Sequence, residues 1–352
     1  MHDIAFDLDG YLFGIEMRYF GQNRPTSDVS TANLKFLTTE QVLADMARFI
    51  EHVKREDSRL ANAKVILHGT MFGGNLATWF RVKYPHLVDG VWSSSSYIEA
   101  RKNFSEYFEV IGQDLRTFGS NDCYRRIWRA FQTIQNLIDG GRSEAIDEMF
   151  HLCHPLDVSN ELEVQRFFEG ITEIIVVDIL NGGYTTVHDM CVAITSNEFT
   201  NDLLAFNNWF VTEHHSTGCF ELTVQKIVDF LSEPEWESFG VITGRRQFHY
   251  LTCYEYGWFA TTDSRNQPFG SRITVNYFVE LCRRVFGDSI TEENIKNSTE
   301  AFNLKFGGSR PEITNAFFTN GGLDPHRAVN VQEDIGETVE ARTLPRKAKF
   351  HL

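Results

Sequence analysis

Membrane-length apolar segments are missing from this 352-residue sequence. The run Ile174-Ile175-Val176-Val177 is cut off by Asp178, far short of the roughly 20 residues that a spanning helix needs. Basic residues are scarce too: 33 Lys and Arg face 48 Asp and Glu, leaving a formal charge of −15. That sign repels phosphate backbones and anionic lipid surfaces, which argues against a nucleic-acid or membrane partner. No C-x-x-C pair occurs among Cys123, Cys153, Cys191, Cys219, Cys253 and Cys282, so zinc ribbons and thioredoxin-like redox motifs are excluded on spacing. Internal repeats and low-complexity tracts are absent as well. Met1-His2-Asp3-Ile4 has neither the basic nor the apolar region of a secretory leader. The expectation is a cytosolic chain, or one whose true beginning is absent from this sequence.

What is present suits a folded enzyme-sized protein. A hydrophobic content of 42% with 13% aromatics can fill a large core, and the length corresponds to about two domains or one α/β domain with an insertion. An even, scattered set of six cysteines suits up to three disulfides in an oxidising compartment, with the pairing left open. The sequons Asn103-Phe104-Ser105 and Asn297-Ser298-Thr299 lean the same way.

Along the chain, Tyr11 to Ile15 reads as a buried strand between glycines. Thr38-Thr39-Glu40-Gln41 reads as a capping box, followed by Val42, Leu43, Met46, Phe49, Ile50 and Val53 at helical spacing. A strand at Val65-Ile66-Leu67, a glycine-rich turn, a helix from Asn75 to about Tyr84 and a strand at Gly90-Val91-Trp92 follow. This alternation predicts a parallel sheet with crossover helices. From about Glu99 to Leu231 the texture is helical, with Ile127, Trp128, Phe131, Ile134 and Ile138 on one face. Strand signals return at Ile313 to Thr319 and Val339 to Leu344. The expected architecture is an α/β sheet domain formed by residues 1–98 and 235–352, interrupted by a mainly helical cap over residues 99–234.

The stretch Leu67-His68-Gly69-Thr70-Met71-Phe72-Gly73-Gly74-Asn75 runs from a strand through a sharp turn into a helix. This is the setting of a nucleophile elbow, G-x-S-x-G, in which small residues flank the nucleophile at two places on either side. Gly69 and Gly73 hold those places, and the residue between them is Met71 rather than serine.

Gly73 to Val88 resembles the elbow helix of the family of lysosomal Pro-X carboxypeptidase, dipeptidyl-peptidase II and thymus-specific serine protease. Glu16-Met17-Arg18-Tyr19-Phe20-Gly21 is similar to its E-H-R-Y-Y-G, and Leu37 to Ile50 to its L-T-x-E-Q-A-L-A-D-L-A-x-F-I helix. Cys253-Tyr254-Glu255 with Cys282 resembles its C-T-E segment, and Asn320 to Pro325 its N-G-x-L-D-P. The resemblance covers nearly the whole chain. It implies an α/β-hydrolase fold with a mainly parallel sheet and an inserted helical cap. It also implies relatives that are serine exopeptidases cutting beside proline or small residues, in a secreted or lysosomal setting and often as homodimers.

Carried over by position, the triad slots fall on Met71 for the nucleophile, Asp324 for the acid and Lys349 for the base, with His351 two residues beyond. The backbone N–H of Phe72 is the surviving oxyanion donor, and Glu255 is a candidate for binding a peptide amino terminus or, equally, for supporting the site from behind. Cys253–Cys282 is the expected disulfide. The family's G-G-E loop and final helix lie outside the span that matches, so a shortened chain with exposed apolar surface is expected. No cofactor or metal is implied.

A thioether has no ionisable proton and cannot attack a carbonyl, and a protonated lysine does not replace an imidazole as base. An ion pair between Asp324 and Lys349 is the expected remnant. Thr70 lies one residue early, and elbow geometry aims one side chain only. Ser93 to Ser96 are expected to pack beside the cleft, His214 and His215 to lie on the surface with His249, and His68 to be a core histidine with a satisfied hydrogen bond. The favoured function is therefore an exopeptidase-like protein that is catalytically inactive and binds peptides or a protein partner. The alternative is an active serine-type exopeptidase of dipeptidyl-peptidase or prolyl carboxypeptidase type. On the first reading Met71→Ser alone restores no more than trace turnover, unless a hidden imidazole such as His351 completes the site.

Overall fold

The computed structural model describes residues 2–214 and 218–348. Four strands, β1 (Ile66–Thr70), β2 (Gly90–Ser94), β5 (Ala316–Gly321) and β6 (Val339–Leu344), form one parallel sheet in the order β1-β2-β5-β6. Two short strands, β3 (Arg101–Asn103) and β4 (Gly257–Phe259), pair in parallel and tie the chain before the helical region to the chain after it. Because every strand of the main sheet runs the same way, their carboxyl ends line one edge, which is where open α/β sheets place ligands. Met71 follows β1, Ser95 to Tyr97 follow β2, and Asp324 follows β5.

Local sequence explains the framework. Thr38 caps the helix Thr39–Glu56 by accepting from the Gln41 backbone N–H at 3.3 Å. The second half of the expected capping box is not made: the Gln41 side-chain oxygen accepts from Arg18, which also forks onto both oxygens of Asp45 at 2.6 and 2.7 Å. Val42, Leu43, Met46 and Ile50 of that helix are buried. The elbow helix Phe72–Lys83 ends before Pro85, which cannot donate to the next turn.

Two large buried clusters, with a small third one at the elbow, fill the described residues. One joins the sheet to its flanking helices through Trp79, Phe80, Tyr256, Phe302 and Phe318. The other lies within the helices Asn121–Asp139, Glu161–Ile194 and Asp202–His214, and also takes in Phe269, Ile273 and Tyr277. All six cysteines are paired, as Cys123–Cys191, Cys153–Cys219 and Cys253–Cys282. In the chain-entropy account each closure stabilises the fold by about 3–5 kcal/mol, and three disulfides fit an oxidising compartment. No helix among the described residues is long and apolar enough to cross a membrane.

One strand expectation is corrected. Tyr11 to Ile15 form no strand, and Tyr11, Leu12, Phe13 and Ile15 are 42–53% exposed. Apolar, β-branched character makes a strand only where a sheet edge accepts its backbone bonds, and β1 pairs with β2 alone among the described strands. Phe13 instead packs edge-on against Phe49, with centroids 5.9 Å apart.

Candidate active site

The elbow is built at the end of β1. Met71 stands at its apex with φ 50° and ψ −125°, a positive-φ conformation that costs a non-glycine residue about 1–3 kcal/mol. Three hydrogen bonds hold it there: Met71 N–H donates to Ser94 O at 2.9 Å, and Met71 O accepts from Gly74 N–H and Asn75 N–H at 2.9 and 3.2 Å. The amide of Phe72, first residue of the helix, is among those a helix leaves without an internal acceptor. The demand for glycine differs from the motif's. A Cβ at Gly69 would lie 2.2 Å from the Gly73 backbone, and one at Gly74 would lie 2.8 Å from Ser93 Oγ and 3.0 Å from Gly69 O. A Cβ at Gly73 would meet nothing. Close packing therefore falls on Gly69 and Gly74.

The serines at the end of β2 and just beyond it are structural. Ser93, Ser94, Ser95 and Ser96 are all at most 2% exposed. Ser93 Oγ lies 2.9 Å from Gly74 O and 2.8 Å from Ser96 Oγ, Ser94 Oγ is 2.7 Å from Thr319 Oγ1, and Ser96 Oγ donates to Asn330 Oδ1 at 3.0 Å. Asn330 in turn donates to Asn320 Oδ1 at 2.7 Å, and Asn320 to Val331 O at 2.8 Å. This buried polar chain fixes the ends of β2 and β5 relative to each other.

Asp324 is 1% exposed and caps the short helix Pro325–Val329, with proline at its first position. Its Oδ1 accepts from His326 N–H at 3.0 Å and lies 3.0 Å from His326 Nδ1. The imidazole is held on its faces and edges by Tyr97, with ring centroids 4.5 Å apart, and by Tyr107 at 5.2 Å. Met71, Phe72, Tyr107, Phe248 and Trp258 pack on the same small cluster as Tyr97 and Val329. Burial first, then the Asp324 charge, pushes the hydroxyls of Tyr97 and Tyr107 well above the usual tyrosine range. Nearby Asp114 is 3% exposed, its Oδ2 is buried without a partner among the described residues, and burial raises its carboxyl to about 8. Arg327 opposes that rise and Asp324 adds to it.

His326 was not singled out in the sequence, although a signal existed. An Asp cap accepts from the residue two places on, so Asp324-Pro325-His326 sets an imidazole beside the carboxylate. Lys349 and His351, and with them the expected Asp324–Lys349 ion pair, lie outside the described residues, as does His215.

Glu255 precedes Tyr256, whose ring stacks on Trp258 with centroids 4.3 Å apart. The two Glu255 oxygens accept from Thr39 N–H at 3.2 and 3.1 Å and from the Thr39 hydroxyl, beneath the start of the helix Thr39–Glu56. Burial raises its carboxyl and the Thr39 bonds restrain the rise. Both oxygens are thus engaged within the chain.

Three histidines differ from expectation. His249 is not a surface residue: burial, then Arg246, lowers it to about 4, and it sits within 4.8 Å of the Cys253 and Cys282 sulfurs, which are already bonded to each other. His214 lies 2.9 Å from Asp178 and packs on Trp209. His68 packs edge-on to Trp92, and its Nε2 is buried with no partner among the described residues.

Comparison with known proteins agrees with the α/β fold. Two Caenorhabditis elegans proteins named as putative serine proteases match at 27% and 29% identity over 93% and 94% of this chain, which spans 66% and 64% of their lengths. The thymus-specific serine protease of Mus musculus is 26% identical over 95% of this chain and 67% of its own. The lysosomal Pro-X carboxypeptidase of Bos taurus is 28% identical over 100% of this chain and 71% of its own. The serine carboxypeptidase S28 family matches residues 1–350, and the chain belongs to that family.

Proposed function

We propose that this chain is an exopeptidase-like protein that binds peptides in the cleft at the carboxyl ends of β1, β2 and β5 and does not cleave them through an acyl-enzyme. The observation that carries the reading is the thioether at the elbow apex. Elbow geometry presents one side chain to the substrate carbonyl, and at position 71 that side chain has no nucleophilic oxygen. An active exopeptidase needs another hydroxyl within reach; Ser93, Ser94 and Ser96 are buried in hydrogen bonds of their own, and Ser95 is 2% exposed. What supports binding is the set of aromatic walls from Tyr97, Tyr107 and Trp258, with the Asp324–His326 pair beside Tyr97. Kinship with peptidases and three disulfides support a secreted or lysosomal setting; we further propose a homodimer, and a division into sheet and cap at residues 98/99 and 234/235.

The test is a proline-containing tripeptide titrated into the purified chain, with tryptophan fluorescence reporting binding and mass spectrometry reporting cleavage. Saturable binding with the peptide recovered intact is expected. Release of a shorter peptide, abolished by serine-directed fluorophosphonate, would overturn the reading.

A further inference from the structure

The cleft contains an imidazole that no triad slot accounts for. We propose that His326, oriented by Asp324, is a latent general base directed at position 71, so that the site lacks its nucleophile and not its base. The inference rests on the reading above that hydrolysis is lost at Met71.

The geometry is that of a carboxylate–imidazole pair. Asp324 Oδ1 lies 3.0 Å from Nδ1, which selects the tautomer with its proton on Nδ1 and leaves a lone pair on Nε2. Nε2 has no hydrogen-bond partner among the described residues. Tyr97 and Tyr107 restrict the ring to one orientation. Strand order supplies the reach. β1, carrying Met71, and β5, carrying Asp324, are separated only by β2, a gap of about 10 Å from two strand spacings. The Met71 side chain packs on the cluster of Tyr97 and Val329, where the His326 ring also lies against Tyr97. The same carboxylate also holds the His326 backbone N–H, so ring and backbone share one anchor.

The step this predicts is balanced. In Met71→Ser the introduced hydroxyl oxygen attacks the phosphorus of a fluorophosphonate, an O–P bond forms, the P–F bond breaks and fluoride leaves. The hydroxyl proton passes to His326 Nε2 and then to water.

The experiment compares labelling rates of Met71→Ser, Met71→Ser/His326→Ala and Met71→Ser/Asp324→Asn, with thermal melts to confirm folding. Met71→Ser is expected to label at position 71, and loss of His326 to slow labelling by about 100-fold or more. Imidazole added to the buffer should restore part of the rate to the His326→Ala double variant and leave Met71→Ser unchanged, which a merely structural residue would not do. A folded Met71→Ser that does not label, or labels equally without His326, overturns the inference. If Met71→Ser does not fold, Met71→Cys serves in its place: the native cysteines are all paired, so iodoacetamide reads one thiol. Its alkylation should be at least about tenfold faster with His326 than without, and equal rates overturn the inference. Labelling of the unaltered chain bears on the proposed function alone; the contrast with and without His326 bears on this inference alone.

Discussion

Single residues at the elbow carry unequal constraints. Gly73→Ala adds a Cβ into open space within a helix and should stabilise the chain by about 0.5–1 kcal/mol. Gly74→Ala presses on Ser93 Oγ and the Gly69 carbonyl and should destabilise it by about 1–3 kcal/mol. Urea denaturation of the two variants checks the order, and equal effects would refute the packing described. Asp114 gives a pH signature. Its folded-state carboxyl stands at about 8 against 3.8 for the free group. An acid raised on folding contributes stability below its unfolded value and loses it as pH rises through the folded one. Asp114→Asn should therefore stabilise increasingly between about pH 4 and about pH 8, by at most about 1.4 kcal/mol per unit. An effect of the same size at pH 5 and pH 8 would show that Asp114 is not buried as described.

At the scale of elements, the contact between Glu255 and the helix Thr39–Glu56 joins segments 216 residues apart. Glu255→Ala leaves the Thr39 N–H without its acceptor, while the Thr39 hydroxyl keeps Tyr256 as a partner, and should cost about 1–3 kcal/mol. Glu255→Gln keeps one acceptor oxygen and should cost less. Denaturation midpoints test the order, and no loss in either variant would contradict the capping role. Elements with a local cause were legible in the sequence. Thr38 and its apolar stripe gave the helix, and β6 falls at Val339–Leu344 as expected. The elbow was legible because strand, glycines and helix are contiguous. Tyr11 to Ile15 were misread because a strand needs a partner, which no local pattern supplies. Glu255, Gly74 and His249 take their roles from residues distant in sequence, so spacing could not assign them. His326 was missed for a different reason, since its cap relation to Asp324 is local but is carried by a backbone turn rather than a side-chain period.

The whole molecule is a parallel sheet and a helical layer held by two large buried clusters and three disulfides. Two of those bridges lie within the helical region, and reduction should lower its melting temperature without first disturbing the elbow, whose bonds involve no cysteine. Near- and far-ultraviolet dichroism under reductant would show this, and simultaneous loss of all signal would contradict it. The scaffold of a serine carboxypeptidase S28 relative thus persists around an apex that carries sulfur in a thioether. The most direct test is the intact mass of the unaltered, purified chain after prolonged exposure to a fluorophosphonate. No added mass is predicted, and a single stoichiometric adduct mapped to one serine would contradict the account.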